Sequence, residues 1–156
     1  MFAIILIELA QAVQMSNRRF VDDHGRTLVF HGFNVVVKSD PYIPITDHFD
    51  PEMSLNSQDI SNLVDWGMNF IRLGVIWEAV ERRPGWYNMT YLSEINDLIN
   101  SLGEKGIYTL VDAHEDVFAR SICGEGVPNF YVLGRQLRHF RSNSRENRPM
   151  QAFLNL

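Results

Sequence analysis

The stretch that decides the fold is Ile107-Tyr108-Thr109-Leu110-Val111-Asp112-Ala113-His114-Glu115-Asp116-Val117. It begins as an apolar, β-branched run of strand length, after Lys105-Gly106, which is typical of a helix end. It then changes to Asp112, His114 and Asp116, so the pattern predicts a buried strand with titratable groups at its carboxyl end. Such runs are typical of parallel sheets covered by helices, where ligands collect at the carboxyl ends of the strands.

Two interpretations of these polar residues stay open at this point. In the first, Asp112, His114 and Asp116 carry chemistry. In the second, the two aspartates cap the next segment or bind loop amides, and His114 is a hydrogen-bonded core histidine. The stretch alone favours neither interpretation.

Outward from this strand, the chain alternates between strand and helix patterns. Further strands are predicted over 31–37 and 69–76, and a small hairpin over 20–30. Helices are predicted after caps at Ser57 and Thr90. Their apolar positions fall at helical spacing, namely Ile60, Leu63, Val64 and Met68 in the first and Leu92, Ile95, Leu98, Ile99 and Leu102 in the second. This order predicts right-handed crossovers and an α/β fold with a parallel sheet.

Charge is distributed unevenly along the 156 residues, which are 46% hydrophobic and carry a net charge of −5. Residues 134–156 hold five arginines and one glutamate, whereas the first 133 residues hold nine basic and eighteen acidic residues. The acidic body predicts no nucleic-acid partner, because phosphate binding needs clustered Lys and Arg. A single cysteine, Cys123, excludes an internal disulfide and a multi-cysteine metal site.

The N-terminus is a short apolar run, residues 1–12, that ends in Ala10-Gln11-Ala12. We interpret it as a signal peptide in preference to a buried N-terminal helix or strand, and it is too short to span a bilayer. Asn88-Met89-Thr90 is a glycosylation acceptor sequence. A secreted or lumenal protein, extracellular or lysosomal, with no integral membrane segment is therefore expected.

A series of short motifs follows in a specific order along residues 18–132. Together they resemble the N-terminal part of an endoglycoceramidase, a glycoside hydrolase of family 5. The motifs are Gly32-Phe33-Asn34, Lys38-Ser39-Asp40, Phe70-Ile71-Arg72-Leu73, Trp77 with Val80-Glu81 and Pro84-Gly85, Tyr91-Leu92, Gly106-Ile107-Tyr108, Asp112-Ala113-His114-Glu115-Asp116 and Cys123-Gly124-Glu125-Gly126-Val127-Pro128.

The resemblance implies a (β/α)8 TIM barrel with its site at the carboxyl ends of the strands. Such a barrel takes about 250 residues. The chain is therefore expected to form a partial, truncated barrel of the first three βα units, preceded by the N-terminal hairpin. The implied organisation is a signal peptide at 1–12, a barrel part at 18–133 and a basic tail at 134–156 outside the family pattern.

The resemblance also implies an activity. The family cleaves the bond between oligosaccharide and ceramide in glycosphingolipids with retention, using two glutamates about 5 Å apart. Arg72 matches the barrel arginine that keeps the nucleophile charged, which would explain a charge within an apolar strand. The residues implied to bind the sugars beside the scissile bond are Lys38, Asp40, His114 and Asp116.

The two catalytic glutamates of the family follow its fourth and seventh strands, so neither is expected here, and the chain is expected to be inactive alone. No local glutamate is predicted to replace them. Glu115 is predicted to point away from the face that carries His114. Glu78 and Glu81 are predicted to be solvated or paired with neighbouring arginines, and Glu125 shows no evident partner.

Three hypotheses follow, and no cofactor is expected under the first two, which rank above the third. The first is a truncated endoglycoceramidase-like hydrolase, and the second is a non-catalytic binder of glycans or glycolipids. For both, the partner is a glycosphingolipid or oligosaccharide, and contact with a membrane surface is expected through the lipid substrate. The third, a metal-dependent hydrolase on Asp112, His114 and Asp116 with His31, ranks last, because no spaced cluster completes a metal shell.

Overall fold

The computed structural model describes residues 13–132, and the chain divides into two compact units, Met1–His31 and Gly32–Leu156. The predicted signal peptide at 1–12 and the predicted basic tail at 134–156 lie outside the described residues. Within the described range, no helix has the length and hydropathy needed to cross a bilayer.

The first unit contains an antiparallel hairpin of β1 (Gln14–Ser16) and β2 (Arg19–Val21). The two residues between the strands have positive φ angles of 48° and 63°, as the tightest hairpin turns require. The predicted hairpin over 20–30 is confirmed in part, because the Leu28 amide donates to the Phe20 carbonyl at 2.8 Å, but residues 27–30 form no strand. The partner of β2 precedes it in the chain, and Val21 forms an isolated antiparallel bridge with Thr27.

The second unit alternates strands and helices, as the sequence predicts. In chain order its elements are β3 (Gly32–Val35), α1 (Ser57–Asp65), β4 (Phe70–Gly74), α2 (Trp77–Val80), β5 (Glu81–Arg83), β6 (Trp86–Tyr87), α3 (Met89–Glu104), β7 (Tyr108–Asp112), a 3-10 turn (Arg120–Ile122) and α4 (Asn129–Val132). The strands β3, β4 and β7 form a parallel sheet with β4 in the centre. The predicted parallel α/β arrangement is confirmed, although β3 and β4 are shorter than predicted at both ends.

An asparagine caps each of the two long helices, Asn56 for α1 and Asn88 for α3, and not the predicted caps Ser57 and Thr90. The side chain of Asn56 accepts from two amides of the first turn of α1, at 2.8 and 3.0 Å, and Asp59 accepts in return from the Asn56 amide. Asn88 accepts from the third residue of α3 at 3.2 Å. Asparagine is as effective a cap as serine, and here it satisfies the first free amides of each helix.

A second hairpin occupies the segment that the sequence presents as a loop. Strands β5 and β6 pair antiparallel around Pro84-Gly85, where Gly85 has a φ of +72°. This conformation suits glycine, which lacks a Cβ. Glu81 is the first residue of this hairpin.

The core lies on one face of the parallel sheet. Ile71 and Leu73 of β4 have no exposed surface and belong to one buried cluster with residues of α1 and α3. The two predicted helical stripes supply Ile60 and Leu63 of α1 and Ile95, Leu98 and Leu102 of α3 to that cluster, whereas Val64 of the first stripe is 41% exposed. The opposite face of β4 and β7 carries Arg72 and Asp112, so the sheet has one apolar face and one polar face.

Candidate functional site

Polar side chains gather where the three parallel strands end. Lys38 follows β3, and Asp112, His114 and Asp116 close or follow β7. Parallel strands bring their carboxyl ends to one edge, which is where the sequence predicts the site. Three of the four predicted sugar-binding residues, Lys38, His114 and Asp116, are neighbours here.

Arg72 is paired across the sheet. Its Nη2 atom lies 2.7 Å from Oδ2 of Asp112, two register positions beyond it on β7. An arginine within an apolar strand is costly unless a carboxylate or several carbonyls lie nearby, and Asp112 supplies the carboxylate. The role of Arg72 toward a nucleophile stays a prediction.

The same Asp112 oxygen orients His114, whose Nδ1 atom lies 3.0 Å away. This Asp112 oxygen accepts from Arg72 and has no hydrogen to give, so Nδ1–H of His114 donates to it. The imidazole is 10% exposed, and its Nε2 atom lies 3.5 Å from Oδ2 of Asp116. This places the lone pair of Nε2 toward the cluster.

Lys38 joins two carboxylates. Its Nζ atom forms an ion pair with Asp116 and lies 2.7 Å from Oε1 of Glu125. The hydrogen bonds that Lys38 donates to Asp116 and Glu125 raise the pKa of Lys38, and the bond from Lys38 lowers the pKa of Asp116. Both groups are therefore charged near neutral pH.

Glu125 belongs to this site, although the sequence interpretation gave it no partner. Asp116 and Glu125 form an antiparallel bridge through backbone hydrogen bonds of 3.0 and 2.8 Å. The bridge requires flanking glycines, because a Cβ at Gly124 would lie 2.3 Å from the Asp116 carbonyl and one at Gly126 2.5 Å from Cβ of Glu115. Gly-Glu-Gly was the signal in the sequence, since glycines allow the close approach of two backbones.

Asp40 contacts a different group. Its Oδ1 atom accepts from Nη2 of Arg82 at 2.7 Å, and its side chain is 69% exposed. The prediction had paired Arg82 with Glu78 or Glu81 instead. Asp40 thus lies on the edge of the site as a solvated ion pair.

Glu81 is buried, with 2% of its surface exposed, and the prediction of a solvated glutamate is wrong. Its carboxylate accepts from the Gly85 amide at 2.8 Å, from Nε1 of Trp77 at 2.9 Å and from the Tyr131 hydroxyl at 2.9 and 3.0 Å. These donors, the Gly85 amide first, lower its pKa, and the carboxylate in turn raises the pKa of Tyr131. Glu81 holds the half-exposed Trp77 and Tyr131 rings against each other, 4.9 Å apart.

A further ion pair, missed from the sequence, supports Lys38 from behind. Arg120 donates to Glu78 at 2.7 Å and to the backbone carbonyl of Lys38 at 2.6 Å. The Glu78 amide in turn donates to the carbonyl of Gly126 at 2.8 Å. This link fixes the backbone on both sides of the Lys38 and Glu125 pair.

Asn88, the predicted glycosylation site, is the half-buried cap of α3. It uses its side-chain oxygen for the cap, so the amide nitrogen that would carry a glycan is not needed there. Glycosylation stays a prediction.

The fold and the site define an α/β protein whose parallel strands present acidic, basic and imidazole groups at their carboxyl edge. The chain belongs to the cellulase family, glycosyl hydrolase family 5, whose sequence model matches residues 21–150. The fold of that family is a (β/α)8 barrel, and the three-stranded parallel sheet is consistent with part of one.

Relatives with the same sequence pattern are named for glycolipid cleavage. Endoglycoceramidase from Cyanea nozakii is 40% identical over 121 residues, covering 78% of this chain and 24% of that protein. Endoglycoceramidase I from Rhodococcus hoagii is 32% identical over 123 residues, covering 79% and 24%. The chain therefore spans about a quarter of the length of these relatives.

The chain is also similar to solved structures of an endo-glycoceramidase. Endo-glycoceramidase II from Rhodococcus sp. superposes with a TM-score of 0.56 at 30% identity, covering 70% of this chain and 25% of that one. A second structure of that enzyme, in complex with ganglioside GM3, has the same TM-score and identity and covers 70% and 26%.

Proposed function

We propose that this chain provides sugar-binding groups of a retaining glycoside hydrolase that cleaves the bond between oligosaccharide and ceramide in glycosphingolipids. The observation that carries the proposal is the cluster of Lys38, His114, Asp116 and Glu125 at the carboxyl edge of the sheet. Carboxylates accept from sugar hydroxyls, and an ammonium donates to them. The names of the relatives support a glycolipid as the substrate.

Within the described residues, the cluster is suited to binding and not to bond cleavage. Retaining hydrolysis needs one carboxyl group that holds a proton near neutral pH. Lys38 contacts both carboxylates of the cluster and lowers the pKa of Asp116. We therefore assign sugar binding to these residues, and cleavage to a longer product that contains the glutamates after the fourth and seventh strands of a complete barrel.

The proposal is tested by calorimetric titration of the full chain with the oligosaccharide of ganglioside GM3. We expect saturable binding that His114→Ala weakens about tenfold or more, because a buried sugar hydroxyl left without its partner costs about 1–3 kcal/mol. His48→Ala is the matched control, since its imidazole is 65% exposed and pairs with the adjacent Asp47. Equal affinity of wild type and His114→Ala would contradict the proposal.

A parallel assay separates binding from catalysis. The full chain is incubated with GM3 in detergent micelles, and the released oligosaccharide is measured. We expect no release above the buffer control. Release that persists in an Asp116→Asn, Glu125→Gln double variant would place catalysis outside the cluster and overturn the division of roles.

Secretion is part of the proposal, and it rests on Ala10-Gln11-Ala12 and on Asn88-Met89-Thr90. The chain is expressed in a eukaryotic secretory cell. We expect to find it in the culture medium, beginning at residue 13 and losing mass on enzymatic removal of N-glycans. Asn88→Gln keeps a polar side chain at the cap and is expected to remove the glycan. An uncleaved chain that still begins at residue 1 and stays inside the cell would contradict the proposed secretion.

A further inference from the structure

The site cluster contains three atoms of the types that bind metal ions. Nε2 of His114 and one carboxylate oxygen each of Asp116 and Glu125 lie within 4.8 Å of one another. Imidazole nitrogen and carboxylate oxygen are both ligand types that bind Zn²⁺. The separation is compatible with a single ion between the three atoms after small side-chain rotations.

An independent observation comes from His114. Its side chain is 10% exposed, and its Nε2 atom is buried without a hydrogen-bond partner among the described residues. Oδ2 of Asp116 lies 3.5 Å from Nε2, beyond hydrogen-bonding distance for this pair. A buried ring nitrogen left unpaired is costly, so this atom is available to a ligand.

The orientation of His114 has the form seen in metal sites. Metal-bound histidines usually donate their second ring N–H to a carboxylate, which fixes the tautomer and strengthens the ligand. Asp112 accepts here from Nδ1 at 3.0 Å, and Arg72 holds Asp112 at 2.7 Å. Nε2 is thus the free ligand atom, and it faces Asp116.

Lys38 already supplies a positive charge at this position. Its ammonium pairs with Asp116 and lies 2.7 Å from Glu125, the same two carboxylates that a metal would need. The side chain is 48% exposed, and a lysine stem can rotate into solvent. A divalent ion would therefore compete with Lys38 for the carboxylates.

We propose that His114, Asp116 and Glu125 form a binding site for a divalent cation of the zinc type, in competition with the Lys38 ammonium. This inference goes beyond the proposed function, because it concerns an ion and not a glycan. It also predicts that the ion and the sugar exclude each other, since both use the same carboxylates.

The test is calorimetric titration of the full chain with Zn²⁺ in a non-chelating buffer, without any glycan. Cys123 is an exposed thiol and is replaced by serine in every sample, to remove its own affinity for zinc. We expect one Zn²⁺ per chain at the cluster, about tenfold tighter binding in Lys38→Met, and loss of this binding event in His114→Gln. The matched control, His48→Gln, is expected to leave it unchanged, and Mg²⁺, which prefers oxygen ligands, is expected to bind far more weakly.

A second readout does not depend on the folding of the cluster variants. Co²⁺ added to the chain with Cys123→Ser is expected to give visible absorption bands that Zn²⁺ abolishes at one equivalent. Absence of these bands, or Zn²⁺ binding that is unaffected by His114→Gln in a variant with unchanged circular dichroism, would overturn the proposal. A negative result in these two metal titrations would not contradict the proposed sugar binding, because neither sample contains a sugar.

Discussion

The Nζ atom of Lys38, just beyond β3, lies 2.7 Å from Oε1 of Glu125, in the Gly-Glu-Gly turn beyond β7. The two residues come from opposite edges of the three-stranded sheet. Their contact joins the ends of β3 and β7 across the end of the central strand. The cluster that we propose to bind sugar depends on this link.

Asp112 is expected to be the support on which the rest of the cluster depends. Asp112→Asn would weaken the 2.7 Å pair with Arg72 and leave the orientation of His114 unfixed. We expect a loss of about 1–3 kcal/mol in the free energy of unfolding, because a partly buried guanidinium loses its charged partner. This loss is measured by unfolding in urea, with circular dichroism as the probe of the folded fraction.

Asp97→Asn is the control for that substitution, because it changes an exposed aspartate on α3. Its unfolding midpoint should match that of the wild type. If Asp112→Asn were as stable as Asp97→Asn, the Arg72 pair would have no structural role.

The ion pair between Lys38 and Asp116 gives a specific pH dependence. The folded pKa of Asp116 is lowered, so its stabilisation is present above its unfolded pKa of about 4 and is lost as the pH falls through the folded value. The folded pKa of Lys38 is raised, so the pair persists to about pH 10 and is lost above it. We expect the difference in Tm between wild type and Asp116→Asn to be constant from about pH 5 to 9 and to shrink on either side. A difference that instead grows below about pH 4 would show that the pair does not form.

Glu81 is expected to be a structural residue of the aromatic pair and not a catalyst. Glu81→Gln replaces a charged acceptor of three donors with a neutral amide, so we expect Tm to fall by several degrees and near-ultraviolet circular dichroism of Trp77 and Tyr131 to change. Glu94→Gln, on the exposed side of α3, is the control and should change neither. An unchanged near-ultraviolet spectrum in Glu81→Gln would contradict the role assigned to this carboxylate.

Gly32 is expected to be indispensable for the pairing of β3 with β4. A Cβ at this position would lie 1.5 Å from the carbonyl oxygen of Phe70, and this atom is backbone that cannot move aside. Gly32→Ala should therefore abolish cooperative unfolding. Gly103→Ala, where a Cβ meets open space within α3, should instead raise stability by up to about 1 kcal/mol. A folded Gly32→Ala chain with wild-type Tm would refute the register of this strand pair.

The features predicted correctly from the sequence are those that hydrophobic periodicity and the residues at strand ends determine. The βα alternation, the parallel sheet and the position of His114 and Asp116 at its carboxyl edge follow from the apolar run 107–111 and the polar residues after it. The need of Arg72 for a carboxylate followed from the cost of burying a charge, and Asp112 meets it.

The parts that sequence analysis missed depend on contacts between distant segments. Glu125 reaches the site through a backbone bridge, and Glu81 is buried by donors from Gly85 and Tyr131, neither of which has a periodic signal. Asp40 was grouped with the sugar-binding residues through the family resemblance, and in the structure Arg82 from the second hairpin binds it. Local patterns locate strand ends, but they do not show which loop folds back over them.

The most direct measurement is an amide chemical-shift titration of the ¹⁵N-labelled full chain with the GM3 oligosaccharide. It needs no variant and reads each contact in the wild type. We expect the shifts to concentrate at Lys38, His114, Asp116 and Glu125, with the amides of α1 unchanged. Saturable shifts confined to α1 and α3, or no shifts at millimolar oligosaccharide, would contradict a sugar-binding site at the carboxyl edge of this sheet.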